Sequence, residues 1–111
     1  MLTKEPISKI LRRVNELRLA LGQRPLKKMP KGRLDSPCDC PLARAINRRC
    51  RVMNYKIRFR SNRDARIARK LLNPGAWFGT YISNPRDVRT PEWIQAFIAR
   101  FDDRQYPTLI K

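Results

Sequence analysis

The order of patterns along the chain predicts a small α+β single domain of about four helices with a two-stranded sheet. Three observations carry that expectation. Apolar residues recur at three- and four-residue spacing near both ends, which marks helical faces. Between Cys50 and Arg60 the period changes to alternation, the mark of a half-buried strand. The length of 111 residues suits one domain, since domains commonly run to roughly 100–150. One domain over residues 1–111 is therefore expected.

Ile7, Ile10, Leu11, Val14, Leu17 and Leu21 share one helical face, while Lys9, Arg12, Arg13 and Arg18 occupy the others. The helix is expected from about Pro6 to Leu21. Pro6 suits its first turn, and Gly22 is placed to end it as a left-handed cap. From Gln23 to Asp35, Arg24, Lys27, Lys28, Lys31 and Arg33 are interleaved with Pro25, Pro30 and Gly32. The prolines favour an extended, stiffened backbone. Residues 23–35 thus read as a basic arm or linker, flexible until bound and suited to tracking a phosphate backbone.

Leu42, Ala43, Ala45 and Ile46 form a short apolar helix, with Ser36 or Asp39 as its cap and Arg44, Arg48 and Arg49 outward. Met53, Tyr55, Ile57 and Phe59 then alternate with Asn54, Lys56, Arg58 and Arg60, giving one strand with an apolar and a basic face. Ser61 precedes Asp64 by three residues, as in a capping box, and Ala65, Ala68, Leu71 and Leu72 mark the buried stripe of the next helix. Trp77 to Ser83 reads as the second strand, parallel or antiparallel to the first, and Ser83 to Arg89 as a turn region. Thr90 is placed to cap a helix with Pro91 in its first turn and Trp93, Ile94, Phe97, Ile98 and Phe101 as its stripe. Tyr106 to Ile110 is expected to fold back against that stripe.

The chain carries 26 Lys and Arg against 9 Asp and Glu, for a formal net charge of +17. The charge is uneven: +9 over residues 1–49, +7 over 50–75 and +1 over 76–111. Solubility alone needs only about 2–8 units on a small domain. The excess is tolerated against self-repulsion, and a polyanionic partner relieves it. Nucleic acid is the commonest such partner, because phosphate neutralisation releases counterions whatever the fold.

The absence of His excludes Ser-His-Asp triads, Cys-His dyads and His-ligated metals. The four glycines match no phosphate loop, and Asp102 with Asp103 is a poor carboxylate pair, so no enzyme and no cofactor are expected. Cys38, Cys40 and Cys50 form a weak metal candidate, since structural zinc needs two ligand pairs and only one incomplete pair exists. Packed, reduced thiols are the simpler expectation. No apolar stretch approaches the ~20 residues of a membrane span, so no membrane is expected, and the setting is read as cytoplasmic, nucleoid-associated if DNA is bound.

The predicted nucleic-acid surface comprises the arm cations Arg24, Lys27, Lys28, Lys31 and Arg33 together with Lys56, Arg58, Arg60, Arg63, Arg66, Arg69 and Lys70 of the strand-helix block. Arginine forks bridge phosphate oxygens. Trp77 and Tyr81 lie beside that block as candidate stacking residues, although aromatic residues in a strand are more often core. DNA is slightly favoured over RNA because no RNA-binding signature is present. The alternative is a protein-interaction module that inhibits or modulates a host protein, or a homodimer, through the Trp93 helix.

The segment Cys40-Pro41-Leu42-Ala43-Arg44-Ala45-Ile46, with Phe101-Asp102 and Tyr106-Pro107-Thr108-Leu109, resembles small basic proteins of actinobacteria and their phages. The motifs are short, and that group carries no activity. The resemblance implies a bacterial or phage setting and assigns no functional residue.

Overall fold

Helix α1 spans Ile7–Ala20 and buries Ile10, Val14 and Leu17, with Leu21 just beyond and Ile7 and Leu11 at the rim. The computed structural model describes residues 5–36, 38–46, 50–52, 56–72 and 84–111. Pro6 occupies the N-cap of α1. At the other end Gly22 takes φ 76°, and two bonds close the helix: Gln23 N–H to the Arg18 carbonyl (2.7 Å) and Gly22 N–H to that of Leu19 (3.1 Å). This paired arrangement satisfies the last carbonyls and needs a residue free to enter the left-handed region. Arg18, expected on an outer face, is buried instead. Its Nε donates to the Arg24 carbonyl and its Nη1 to the Ala45 carbonyl, which links α1 to the segments on either side.

Residues 23–35 carry no helix, as their prolines require, but they form a strap laid on the body rather than a loose arm. Leu26 exchanges two hydrogen bonds with the Asn15 side chain (2.7 and 2.9 Å), and Met29 is buried. Gly32 bridges in parallel to Ile110, with Gly32 N–H donating to Leu109 O and Lys111 N–H to Gly32 O, both at 2.9 Å. Asp35 N–H reaches Asp102 Oδ1 at 3.0 Å. Charged residues dominate this stretch, yet the three apolar side chains among them and the backbone pairing supply its anchorage.

Helix α2 (Pro41–Ile46) buries every residue except Arg44. Its cap is neither Ser36 nor Asp39. The Cys40 sulfur accepts the Ala43 N–H at 3.3 Å, taking the position and the role of an N-cap oxygen. The segment read as one strand is a hairpin: β1 (Cys50–Val52) pairs antiparallel with β2 (Lys56–Phe59), in the register Cys50 to Phe59, Arg51 to Arg58 and Val52 to Ile57. A third strand, β3 (Asp87–Arg89), pairs antiparallel with β2 inside the region expected to be a turn. The sheet order is β1-β2-β3. The expected strand Trp77–Ser83 lies outside the described residues.

Helix α3 (Asn62–Leu72) begins where the Ser61 hydroxyl accepts the Asp64 N–H at 3.1 Å, as expected. Its buried stripe is narrower than expected: Ala65 and Ala68 are enclosed, Leu72 is half-buried, and Leu71 is 39% exposed. Helix α4 (Glu92–Asp102) has Pro91, not Thr90, at its N-cap, and the Gln95 side chain reaches back to the Thr90 carbonyl at 2.9 Å. It closes as α1 does, with Gln105 N–H on Arg100 O and Arg104 N–H on Phe101 O (both 2.9 Å), but the left-handed position, φ 62°, is held by Arg104. Tyr106 folds back onto Phe97 with ring centres 5.1 Å apart, donates to the Glu5 carbonyl at 2.8 Å, and leads into a short 3-10 turn over Pro107–Leu109.

Val52, Ile57, Phe59 and Val88 point from one face of the sheet into the cluster formed by the helices, so the molecule is a single α+β core with helices on one side of a three-stranded sheet. A Cα radius of gyration of 13.3 Å matches the ~13 Å expected of one compact domain of this length. Strand alternation turns the intervening residues of the same strands to the opposite, outer face.

Candidate nucleic-acid interface

That outer face is basic. Arg51 and Arg58 are directly opposed partners on β1 and β2, and both are exposed. Opposed residues on one sheet face hold their Cβ atoms ~4.5–5.5 Å apart, and like charges so placed repel. Arg60 continues the same alternation beyond the strand end, and Arg86 approaches from the turn before β3, whose carbonyl accepts the Phe59 N–H at 2.9 Å. The four arginines, with Cys50 and Phe59, line a groove of about 360 Å³. None of their guanidinium groups makes an ion pair or hydrogen bond within the described residues. The one carboxylate in register beside Arg58 is Asp87 on β3, and it is engaged by Lys56, with Nζ 3.1 Å from Oδ2.

Not every predicted cation belongs to an open surface. Lys56 is spent on Asp87. Arg69 was expected to project outward with its neighbours, but Nη2 donates to the carbonyls of Pro85 (2.6 Å) and Asp87 (3.1 Å), which makes it a clamp holding β3 to α3. Arg33 pairs with Asp39 at 3.3 Å, and the same carboxylate takes Arg44 Nε at 2.6 Å. The Arg44 hydrogen bond holds the Asp39 carboxyl below its usual range and raises the Arg44 guanidinium in return. Arg24, Lys27, Lys28 and Lys31 are exposed on the strap.

Arg63, Arg66 and Lys70 form an exposed strip along α3. They do not share a face with Arg58, because α3 packs through Ala65 and Ala68 against the core on the inner side of the sheet, whereas Arg58 faces away from that core. The cations divide between two layers. Trp77 and Tyr81, the candidate stacking residues, lie outside the described residues.

The cysteines are dispersed in environment: Cys38 is exposed, Cys40 buried and Cys50 half-buried, all as thiols. Burial raises the Cys40 thiol and pushes Cys50 up to about 12, so both hold their protons at neutral pH. Among the described residues no three His, Cys, Asp or Glu side chains converge. On α4, Ile94, Phe97 and Phe101 are consumed by the core. The half-buried Trp93 carries the Arg13 guanidinium over its ring at 5.2 Å, and Arg13 is in turn paired with Glu5 at 2.8 Å. No helix among the described residues is long and apolar enough to cross a membrane.

Sequence reasoning missed Arg51 and Arg86. Read as part of one continuous strand, Arg51 has no special neighbour; only the hairpin folds it back onto Arg58. Asn54, a turn-favouring residue midway through the run, was the available signal. For Arg86 it was the adjoining Asn84-Pro85, which ends one segment and starts another. Comparison of the chain with protein-family models, with curated proteins and with solved structures gives no match.

Proposed function

We propose that the protein binds nucleic acid through phosphate contacts, centred on the outer face of the sheet. The observation that carries this reading is the directly opposed pair Arg51 and Arg58, flanked by Arg60 and Arg86, with no ion pair to any of the four among the described residues. A fold that needed only solubility gains nothing from setting like charges across a strand pair, where each such contact costs a few tenths of a kcal/mol or more. Phosphates return that cost, and guanidinium forks match their oxygens. The α3 strip and the strap cations extend the positive field that draws a polyanion in.

Binding of labelled duplex and single-stranded DNA across a salt series tests the proposal. Each phosphate neutralised contributes about −0.9 to the slope of log K against log salt on duplex DNA. Phosphate-led binding therefore gives a clearly negative slope, and removing Arg51 and Arg58 together makes it shallower. Affinity that does not change between low and moderate salt rejects phosphate-led recognition.

A further inference from the structure

We infer that the groove between Arg51, Arg58, Arg60 and Arg86 is a site for a phosphomonoester at the end of a nucleic-acid strand; this rests on the nucleic-acid reading above and narrows it. A surface that tracks a backbone sets cations in a row, one per diester. Here four arginines from three chain segments converge on one concavity: β1, β2 with its extension, and the turn before β3. Such a cluster concentrates its field at a point, and the low-dielectric core on the other side of the sheet, which holds Phe59, strengthens that focus.

The ligand that matches is compact and carries more than one charge. A phosphomonoester bears about −1.5 to −2 at neutral pH, because its second pKa is near 6, and offers three acceptor oxygens. A backbone diester bears a single charge and two free oxygens. At about 360 Å³ the groove falls near the lower end of small-molecule sites, ~300–1,000 Å³. Its volume suits one phosphate and its sugar. The hairpin register fixes the backbone of Arg51 against that of Arg58, so two forks start from adjacent positions before the ligand arrives. The pH dependence to be read is that of the ligand's second ionisation, near 6.

The test uses the full chain and one DNA sequence, labelled internally, with a 5′-phosphate, a 3′-phosphate or hydroxyl groups at both ends, and a deoxynucleoside 5′-monophosphate as free competitor. A phosphorylated end is expected to bind about tenfold more tightly than hydroxyl ends at pH 7.5, and to lose that preference as the pH falls through about 6. Arg51→Gln with Arg58→Gln abolishes the preference and leaves residual, salt-dependent binding of the hydroxyl-ended strand. Arg51→Lys with Arg58→Lys, which keeps the charge and the fold but not the fork, retains only part of the preference.

Equal affinity for phosphorylated and hydroxyl ends overturns the end site and leaves the nucleic-acid reading standing. Competition by the free mononucleotide as strong as by the phosphorylated strand keeps the chemistry and overturns its placement on a strand end. Failure of every oligomer to bind at low salt overturns both readings.

Discussion

Gly32→Ala tests whether the basic strap is truly fastened to the body. A Cβ built on Gly32 meets Pro41 N at 2.4 Å, the Cys40 carbonyl carbon at 2.5 Å and the Asp39 oxygen at 2.6 Å. All three are backbone atoms at the start of α2, so no side chain can swing aside. The strap must lift by about an ångström to reach ordinary contact, and three hydrogen bonds lie in the path of that movement: Gly32 N–H to Leu109 O (2.9 Å), Lys111 N–H to Gly32 O (2.9 Å) and Arg33 N–H to Asp39 O (2.8 Å). At about 1 kcal/mol each these give about 3 kcal/mol. Partial unseating of the buried Met29 adds about 1–2 kcal/mol. The reduced entropy of the unfolded alanine chain returns less than about 1 kcal/mol.

The expected loss is thus about 3–5 kcal/mol out of a total that for a small domain is about 5–15 kcal/mol. Urea unfolding followed by circular dichroism reads it as a lower midpoint at unchanged slope. Gly22→Ala separates the causes. Nothing lies within 4 Å of its Cβ, and only the φ of 76° penalises it, so about 1 kcal/mol is expected. A Gly32→Ala loss no larger than that of Gly22→Ala would refute the account of the strap as fixed.

The other predictions concern the joints of the fold. Arg18→Met removes two hydrogen bonds that tie α1 to the strap and to α2, and should cost about 2–4 kcal/mol in chemical denaturation; a loss under about 1 kcal/mol would show the guanidinium to be incidental. Arg104→Gly should stabilise by about 0.5–1 kcal/mol, because φ 62° suits glycine and not a residue with a Cβ, and an unchanged or lower melting temperature would count against it. With the Cys50 thiol pushed up to about 12 in the fold and ionising near 9 when unfolded, the unfolded state loses its proton first as pH rises. Stability from this group is therefore constant below about pH 9 and falls between 9 and 12, by about 1.4 kcal/mol per pH unit. Cys50→Ala should flatten that decline relative to the parent chain; parallel curves would dismiss the buried-thiol assignment.

Much of the helical architecture was legible because its signals are local. The α1 stripe, the Gly22 terminus and the Ser61 cap each depend on residues within one or two turns, and each appears where the spacing places it. Features set by long-range pairing were not. Alternation from Met53 to Arg60 is compatible with one long strand, and which residues of it turn back is decided by the packing of Val52 and Ile57 on a common core. Strand β3 has three residues, too few for alternation to be visible, and it forms where β2 offers it an edge and Arg69 binds the Asp87 carbonyl. The strap looked loose because charge dominates its composition, while its anchors are backbone groups of the C-terminal residues nearly eighty positions away.

The same distinction explains why the candidate site was only half visible. Charge counts along a sequence weigh every acid equally, but in the fold four of the nine acids are assigned to joints. Glu5 holds Arg13, Asp39 joins Arg33 to Arg44, Asp87 takes Lys56 beside β3, and Asp102 receives the strap at Asp35. Asp39 and Asp87 thereby neutralise Arg33 and Lys56, which sequence reasoning counted as available. The arginines around the hairpin groove are passed over by this allocation, although Asp87 stands in register next to Arg58 and a second acid on β1 would have relieved the repulsion at no cost to the pleat. On the proposed function, stability and binding pull in opposite directions at that face: the arrangement that weakens the isolated fold is the one that leaves guanidinium forks free to meet an anion.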